Sequence, residues 1–208
     1  MYQISAIGTF RMLVTDKVFF ASTLFRTVAC SSATFRAWRN RNGLFPETQG
    51  AGGWNRFSIG DVLVAALVSE LTRGGIAAQT AVEAAMMASQ PLTDLCGIEK
   101  NDKDHDLGKV VLRILKKWAR MKDFPVLTIG RAGGGSLSVE FTMPVDMPIL
   151  RVFSASDAEK SIPMVVTIVY LARLLPDLLM ELLSVESEYD RAKYPPELLS
   201  PTFVRRSD

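Results

Sequence analysis

Cysteine and histidine are scarce in this chain, which restricts the metal and redox chemistry open to it. Its 208 residues include two cysteines, Cys30 and Cys96, and a single histidine, His105. The cysteines form no Cys-x-x-Cys pair, and His105 lies in a charged stretch with no serine or cysteine nearby in sequence. This pattern argues against structural zinc, a disulfide scaffold and a catalytic histidine. We interpret Cys30 as a small hydrophobe, with redox sensing as the less favoured alternative.

The chain also lacks a long apolar run that is free of charge. Three charged residues interrupt residues 1–20, which argues against a signal peptide. The longest apolar stretch, residues 162–183, contains two prolines and three charged residues. Each charge at mid-membrane costs about 2.5–3.5 kcal/mol on insertion scales. We therefore predict a long buried or interface helix here, and a cytoplasmic protein.

Sequence motifs for phosphate binding and catalysis are missing as well. Three glycines at residues 133–135 follow shortly after Arg131. A P-loop, however, needs Gly-Lys-Ser/Thr at the start of a helix, and here a strand pattern follows, so a hairpin turn is the better interpretation. No pair of carboxylates, metal-ligand spacing or nucleophile motif stands out. We therefore expect no enzyme activity, no cofactor and no metal.

Neither positive nor negative charge is in large excess overall, but the charged residues are unevenly distributed along the chain. The formal net charge is +2. Residues 1–57 hold seven basic and two acidic residues, whereas the rest of the chain holds 17 basic and 20 acidic residues. A basic amino-terminal part beside a mildly acidic part predicts one half that faces a polyanion and one that faces protein. The hydrophobic content of 48% suffices for a core.

Two short helical patterns with a tight turn between them occupy residues 22–42. Apolar residues of the first pattern share one face. Ser31 or Ser32 can cap the second helix, which ends at Gly43. Two aromatic residues share the inner face of that helix, and its arginines and asparagines point away from them. A short first helix and a polar, arginine-rich second one are typical of a helix-turn-helix.

The remaining elements follow from hydrophobic periodicity and from the positions of glycine and proline. A glycine-rich turn after Pro46, followed by residues 54–57, favours a wing hairpin. The polar run at residues 99–106 marks a domain boundary. The predicted helices span residues 61–73, 77–89 (closed by Pro91), 107–121 and 161–184, and the predicted strands span residues 126–129, 136–142 and 149–153.

These patterns predict an α+β, mainly α fold class with two domains. The first is a winged helix-turn-helix DNA-binding domain at residues 19–95. The second is a small mixed helix and β-hairpin domain at residues 107–208, which serves dimerisation or receives a signal.

Residues 19–90 resemble the MerR-type winged helix-turn-helix regulators, because the matching pieces occur in the same order. These pieces are Leu24, Cys30-Ser31, Thr34-Phe35-Arg36, Gly43-Leu44-Phe45-Pro46, Gly53-Trp54-Asn55-Arg56-Phe57, Asp61-Val62 and Leu71-Thr72-Arg73-Gly74-Gly75-Ile76. The chain departs from the family by an apparent one-residue insertion before Gly43. It also has Asn55 in place of the first wing arginine, and it lacks the long dimerising helix that follows in many such regulators.

The resemblance implies double-stranded DNA as the partner. Contacts to the major groove and backbone would come from Ser32, Thr34, Arg36, Trp38, Arg39, Asn40 and Arg41, and wing contacts from Trp54, Asn55 and Arg56. Independently, arginine can donate two hydrogen bonds to guanine, and asparagine can form two with adenine. Two alternatives stay open: Trp38 packs in the core with Phe35, and the basic cluster is an ordinary solvated face.

We therefore predict a sequence-specific DNA-binding transcriptional regulator that acts as a homodimer in the cytoplasm, associated with the bacterial nucleoid. Two-fold pairing is expected because one short reading helix makes few contacts. One alternative is an architectural or accessory DNA-binding protein of a mobile element, such as an excisionase-like factor or a packaging subunit. A protein-interaction module without salt-dependent DNA affinity is another. The sequence does not identify an effector.

Overall fold

Helices make up most of the described chain, and two small antiparallel sheets accompany them. The structure, a computed structural model, describes residues 19–46, 56–97, 106–121, 123–132, 137–142 and 163–189. In chain order these residues form β1 (Phe19–Phe20), α1 (Ala21–Thr27), α2 (Ser32–Asn42), β2 (Arg56–Phe57), α3 (Ile59–Arg73), α4 (Ala78–Met87), α5 (Ser89–Cys96), α6 (Leu107–Trp118), β3 (Val126–Ala132), β4 (Leu137–Thr142), β5 (Pro163–Tyr170) and α7 (Leu171–Tyr189). This content confirms the expected α+β, mainly α class.

Helix α2 begins and ends where the sequence predicts. Ser31 Oγ accepts a hydrogen bond from the backbone N–H of Thr34 at 3.0 Å, which satisfies one of the donors left over at a helix start. Gly43 follows the helix in the left-handed conformation, at φ 72°. Its N–H donates to the Arg39 carbonyl at 3.2 Å. Both ends of α2 are thus fixed by local interactions.

Helix α3 is the central helix of the core, and a capping box fixes its start. Ser58 Oγ accepts from the Asp61 N–H at 3.1 Å, and Asp61 Oδ2 accepts from the Ser58 N–H at 2.8 Å. Ten of its fifteen residues are buried, because α1, α4, α5 and α7 all pack against it. Gly75, at φ 88°, lies beyond its end, where the sequence predicts a stop.

The region after α4 differs from the prediction. The sequence predicts a single helix over residues 77–89 that Pro91 closes. Instead, α4 ends at Met87 and α5 runs from Ser89 to Cys96 with Pro91 in its first turn. Proline is tolerated there because the backbone N–H groups of a first turn have no partner within the helix. Pro91 therefore helps to start a helix, α5, where the sequence pattern predicts a helix end.

The second sheet also differs from the prediction. Strands β3 and β4 form the predicted hairpin, and β3 is central in the order β4-β3-β5. The helix predicted over residues 161–184 is wrong in its first part, because β5 pairs antiparallel with β3 and α7 begins only at Leu171. Residues 165–169 are all β-branched, which favours a pleated strand over a helix. No described helix is long and apolar enough to cross a membrane.

One continuous cluster of buried apolar side chains joins the two parts of the chain. It includes Leu24 of α1 and Leu179 of α7, both 0% exposed. A polar contact joins the same two helices, since Thr23 Oγ1 donates to Glu186 Oε1 at 2.7 Å. The division into two domains stays a prediction, but the two parts pack directly against each other.

Several predicted features lie outside the described residues. They are the glycine-rich turn of the wing after Pro46, the hairpin turn at residues 133–135 and the strand at residues 149–153. Most of the predicted boundary at residues 99–106 lies outside as well.

Candidate nucleic-acid interface

The turn between α1 and α2 closes α1 with two hydrogen bonds. The Ala29 N–H donates to the Arg26 carbonyl, and the Cys30 N–H donates to the Phe25 carbonyl, both at 2.9 Å. This pair of bonds defines a Schellman motif, in which the residue after the helix cap is left-handed. That residue is Ala29, at φ 50°. The chain therefore leaves α1 in a defined direction before α2 starts at Ser32.

Replacing Ala29 with glycine is expected to raise the free energy of unfolding by about 0.5–1 kcal/mol. A left-handed conformation costs a residue with a Cβ about 1–2 kcal/mol, and the greater freedom of glycine in the unfolded chain offsets about half of this gain. Urea denaturation followed by circular dichroism measures the change. Gly43→Ala is the control, and it should lower the free energy of unfolding. The φ of Gly43 is 72°, which disfavours a residue with a Cβ, and a Cβ there meets no atom within 4 Å, so the loss comes from the backbone conformation alone. A less stable Ala29→Gly protein contradicts the turn geometry.

Helix α3 holds this turn through the carbonyl oxygen of Val28. Ser69 Oγ donates to that oxygen at 3.0 Å, and Arg73 Nη2 donates to it at 3.1 Å. Ser69 is buried, and the Arg73 guanidinium also lies 3.7 Å from a Glu70 carboxylate oxygen. Because both donors belong to one rigid helix, α3 sets the direction in which α2 leaves the core.

The inner face of α2 packs into the core, which removes Trp38 from the expected DNA contacts. Phe35 and Trp38 are 2% and 4% exposed. The rings of Phe35 and Phe57 meet edge to face with centroids 5.6 Å apart. Asn42 Nδ2 donates to Gln79 Oε1 of α4 at 3.1 Å. Trp38 is therefore a core residue, as the packing alternative predicts, because a ring buried in this way cannot reach a groove.

The outer face of α2 is polar, basic and exposed. Two alanines, Ala33 and Ala37, lie in the middle of this face, and their small side chains allow a partner to approach the helix backbone closely. The helix contains no acidic residue, so nothing on it repels a polyanion. The exposed residues of this face that the sequence also predicts as contacts are Thr34, Arg36, Asn40 and Arg41.

Ser32 and Arg39 are only partly accessible. Arg39 Cζ lies 6.0 Å from the centroid of the Phe35 ring and 5.6 Å from that of Phe57. A guanidinium within about 6 Å of an aromatic centroid is attracted to the ring. Arg39 thus supports the packing of α2 against β2 more than it projects outward, and Ser32 lies in the first turn at the border of the exposed face.

Arg56 lies in β2, which pairs with β1. Phe20 is its register partner, and Arg56 Cζ lies 4.0 Å from the centroid of the Phe20 ring. This stacking restricts the guanidinium, while Phe20 itself stays 39% exposed. The other predicted wing residues, Trp54 and Asn55, lie outside the described residues, so the wing itself stays a prediction.

Three further residues belong to this surface that the sequence patterns did not single out, which are Phe20, Ala33 and Ala37. Helical periodicity was sufficient to find the alanines, since they fall on the face opposite the aromatic residues. Phe20 had no such signal, because its contact with Arg56 depends on the pairing of two short strands that are distant in sequence.

A cavity of about 710 Å³ lies between the α1–α2 turn and the β5–α7 region. Val28 and Ala29 line it on the side of the turn. Because its walls carry both signs of charge, the cavity does not complement a phosphate backbone and is not part of the candidate interface. The charged residues of the lining are Glu70, Arg73, Arg173, Asp177 and Glu181.

Neither cysteine has the properties of a reactive thiol. Burial raises the pKa of Cys30 to about 11, although the charge of Arg73 lowers it by a smaller amount. Burial likewise raises the pKa of Cys96 to about 12. Because the thiolate is the reactive form, little of either cysteine is reactive near neutral pH. This favours the small-hydrophobe interpretation of Cys30 over redox sensing.

No family model and no curated protein matches this chain. The likeness of residues 19–90 to MerR-type regulators therefore rests on the motifs alone, and a function has to be argued from the exposed face of α2 and from Arg56.

Proposed function

We propose that this protein is a sequence-specific DNA-binding transcriptional regulator that reads the major groove with α2. The observation that supports it is the exposed face of Thr34, Arg36, Asn40 and Arg41, on a helix whose direction is set by the turn that Ser69 and Arg73 hold. A basic patch on a mobile segment would bind any polyanion. A basic face on a fixed helix can select among sequences, since its side chains start from defined positions.

The chemistry of this face suits base recognition. The Arg36 guanidinium can donate two hydrogen bonds to O6 and N7 of guanine, and the Asn40 amide can pair in the same way with adenine. The two residues are one turn apart, which is about 6 Å along the helix axis. This is close to the rise of two base pairs, at about 3.4 Å each. Each such contact gives about 1–3 kcal/mol of discrimination between bases.

Arg56 has a different role in this proposal. Its guanidinium is stacked on Phe20, which restricts the rotamers of the side chain and so the direction in which the guanidinium points. An arginine held in this way suits a phosphate contact, which fixes the register of a protein on the duplex without reading sequence. Arg41, at the carboxyl-terminal end of the α2 face, suits the same kind of contact.

Two copies of the chain are part of the proposal. One short helix reaches few bases, and a two-fold dimer doubles the contacts on half-sites about 34–36 Å apart. The part of the chain from residue 107 onward would supply dimerisation or receive a signal.

Selection of bound duplexes from a random-sequence pool, followed by gel-shift titration at fixed salt, tests the proposal. Enrichment of a motif in two related half-sites is expected, with a clearly tighter Kd for it than for random duplex. Equal binding of every sequence favours the architectural alternative. A lack of salt-dependent binding to any duplex contradicts a DNA-binding function altogether.

A further inference from the structure

The exposed side of α6 carries a straight row of basic residues. Consecutive members are four, three and four residues apart, so the three on the helix lie nearly along one line of its surface, and Arg120 follows in the turn after Trp118. All four are exposed, and together they line a shallow surface groove of about 570 Å³. At about 1.5 Å per residue, the row extends over about 16 Å. This α6 row consists of Lys109, Arg113, Lys116 and Arg120.

Three of the four charges of the row stay unpaired within the described part of the chain. No ion pair within the described residues involves Lys109, Lys116 or Arg120. The acidic residue at the helix start, Asp106, uses its Oδ1 to accept from the Lys109 backbone N–H at 3.2 Å. Like charges three and four residues apart destabilise a helix. A bound anion would remove that repulsion, so the row has the properties of a binding surface.

Lys117, the neighbour of the row, shows what a structural lysine on this helix does. Its Nζ donates to the Asp94 carbonyl at 3.2 Å and lies over Gly97 at the end of α5. A cation there balances the negative end of the α5 dipole. Lys109, Lys116 and Arg120 make no such side-chain contact with another element within the described residues.

We propose that the α6 row binds the sugar-phosphate backbone of DNA as a second, sequence-independent contact. An extended row fits a linear polyanion better than an isolated phosphate, and a length of about 16 Å can meet several charges of a duplex that carries one per about 1.7 Å of its axis. The proposal rests on the proposed function for the identity of the polyanion.

A membrane surface is the competing polyanion, and the packing of α6 argues against it. An interfacial helix inserts an apolar face between lipids. The apolar face of α6 is occupied, because Val110, Val111 and Ile114 are at most 1% exposed in the core. Apart from Leu112, the residues that line the groove are basic, and positive charge is what a nucleic-acid backbone requires.

The test combines Lys109→Gln, Lys116→Gln and Arg120→Gln in the full chain. Binding to the selected duplex and to a random-sequence duplex is measured over a range of salt concentrations. We expect the affinity for both duplexes to fall by about tenfold, with an unchanged ratio between them and a salt slope reduced by about three. Lys116→Gln and Lys117→Gln form a matched pair of single variants, of which only the first should reduce the slope. Thermal unfolding of each variant checks the fold.

The outcomes separate this inference from the proposed function. An unchanged salt slope in the triple variant, with sequence preference intact, overturns the α6 row and leaves the function standing. A reduced slope in a protein without any sequence preference supports the row and contradicts the proposed regulator. Loss of binding to anionic vesicles or to polyglutamate, with duplex binding unchanged, assigns the row to another partner and overturns the inference.

Discussion

Arg36→Ala is expected to weaken binding to the selected duplex by about ten- to a hundredfold at fixed salt, with a much smaller effect on random duplex. Arg36 is exposed near the middle of α2, and no described contact within the fold uses its guanidinium. Its removal therefore subtracts only the proposed DNA contact and leaves the core undisturbed. Gel-shift titration of both duplexes in the same buffer gives the two affinities and their ratio.

Arg36→Lys is the matched control for this change. Lysine keeps the positive charge but presents it as a point, without the planar pair of donors that fits guanine. We expect the lysine variant to keep the affinity for random duplex and to lose most of the preference for the selected one. Equal affinities for the wild-type and Arg36→Ala proteins contradict the assignment of α2 as the reading helix, and an unchanged affinity for Arg56→Ala as well contradicts the whole proposed interface.

The helices around the interface were predictable from sequence because local signals determine them. Ser31 caps α2, Gly43 ends it, and Ser58 with Asp61 forms the capping box of α3. Each of these signals acts within a few residues of the chain. The exposed positions of Arg36 and Asn40 followed from the same periodicity, since the aromatic residues of α2 define the buried side.

Strand β5 was harder to predict, because a continuous apolar run by its periodicity suits a buried strand and a buried helix equally well, and the β-branched residues 165–169 were the local signal for a strand. Residues 163–170 become a strand through pairing with β3, a partner that lies more distant in sequence. The stacking of Phe20 on Arg56 has the same origin in strand pairing. The sequence shows the basic residues of α6. It does not show that Lys117 stabilises the fold, because that follows from its contact with α5.

Phe57→Ala is expected to lower the free energy of unfolding by about 3–5 kcal/mol, the range for removing a buried aromatic side chain. Phe57 is 0% exposed. Its ring lies 5.6 Å from the centroids of both Phe35 and Phe45, so it joins α2 to the segment that follows the helix. Urea denaturation followed by circular dichroism measures the loss.

Phe57→Leu separates the volume of the ring from its aromatic contacts. Leucine keeps most of the buried apolar volume, while the aromatic pairs and the stacking of Arg39 on the ring are lost. Such pairs contribute about 0.5–1.5 kcal/mol beyond burial, so we expect the leucine variant to lose about 1–2 kcal/mol. A loss below about 1 kcal/mol for Phe57→Ala contradicts the role of this ring in the core. The hydrogen bond from Asn42 to Gln79 would then carry more of the attachment of α2. Arg36→Ala should leave the unfolding free energy unchanged, since α2 is held in the core by its inner face and the proposed DNA contacts lie on its outer face.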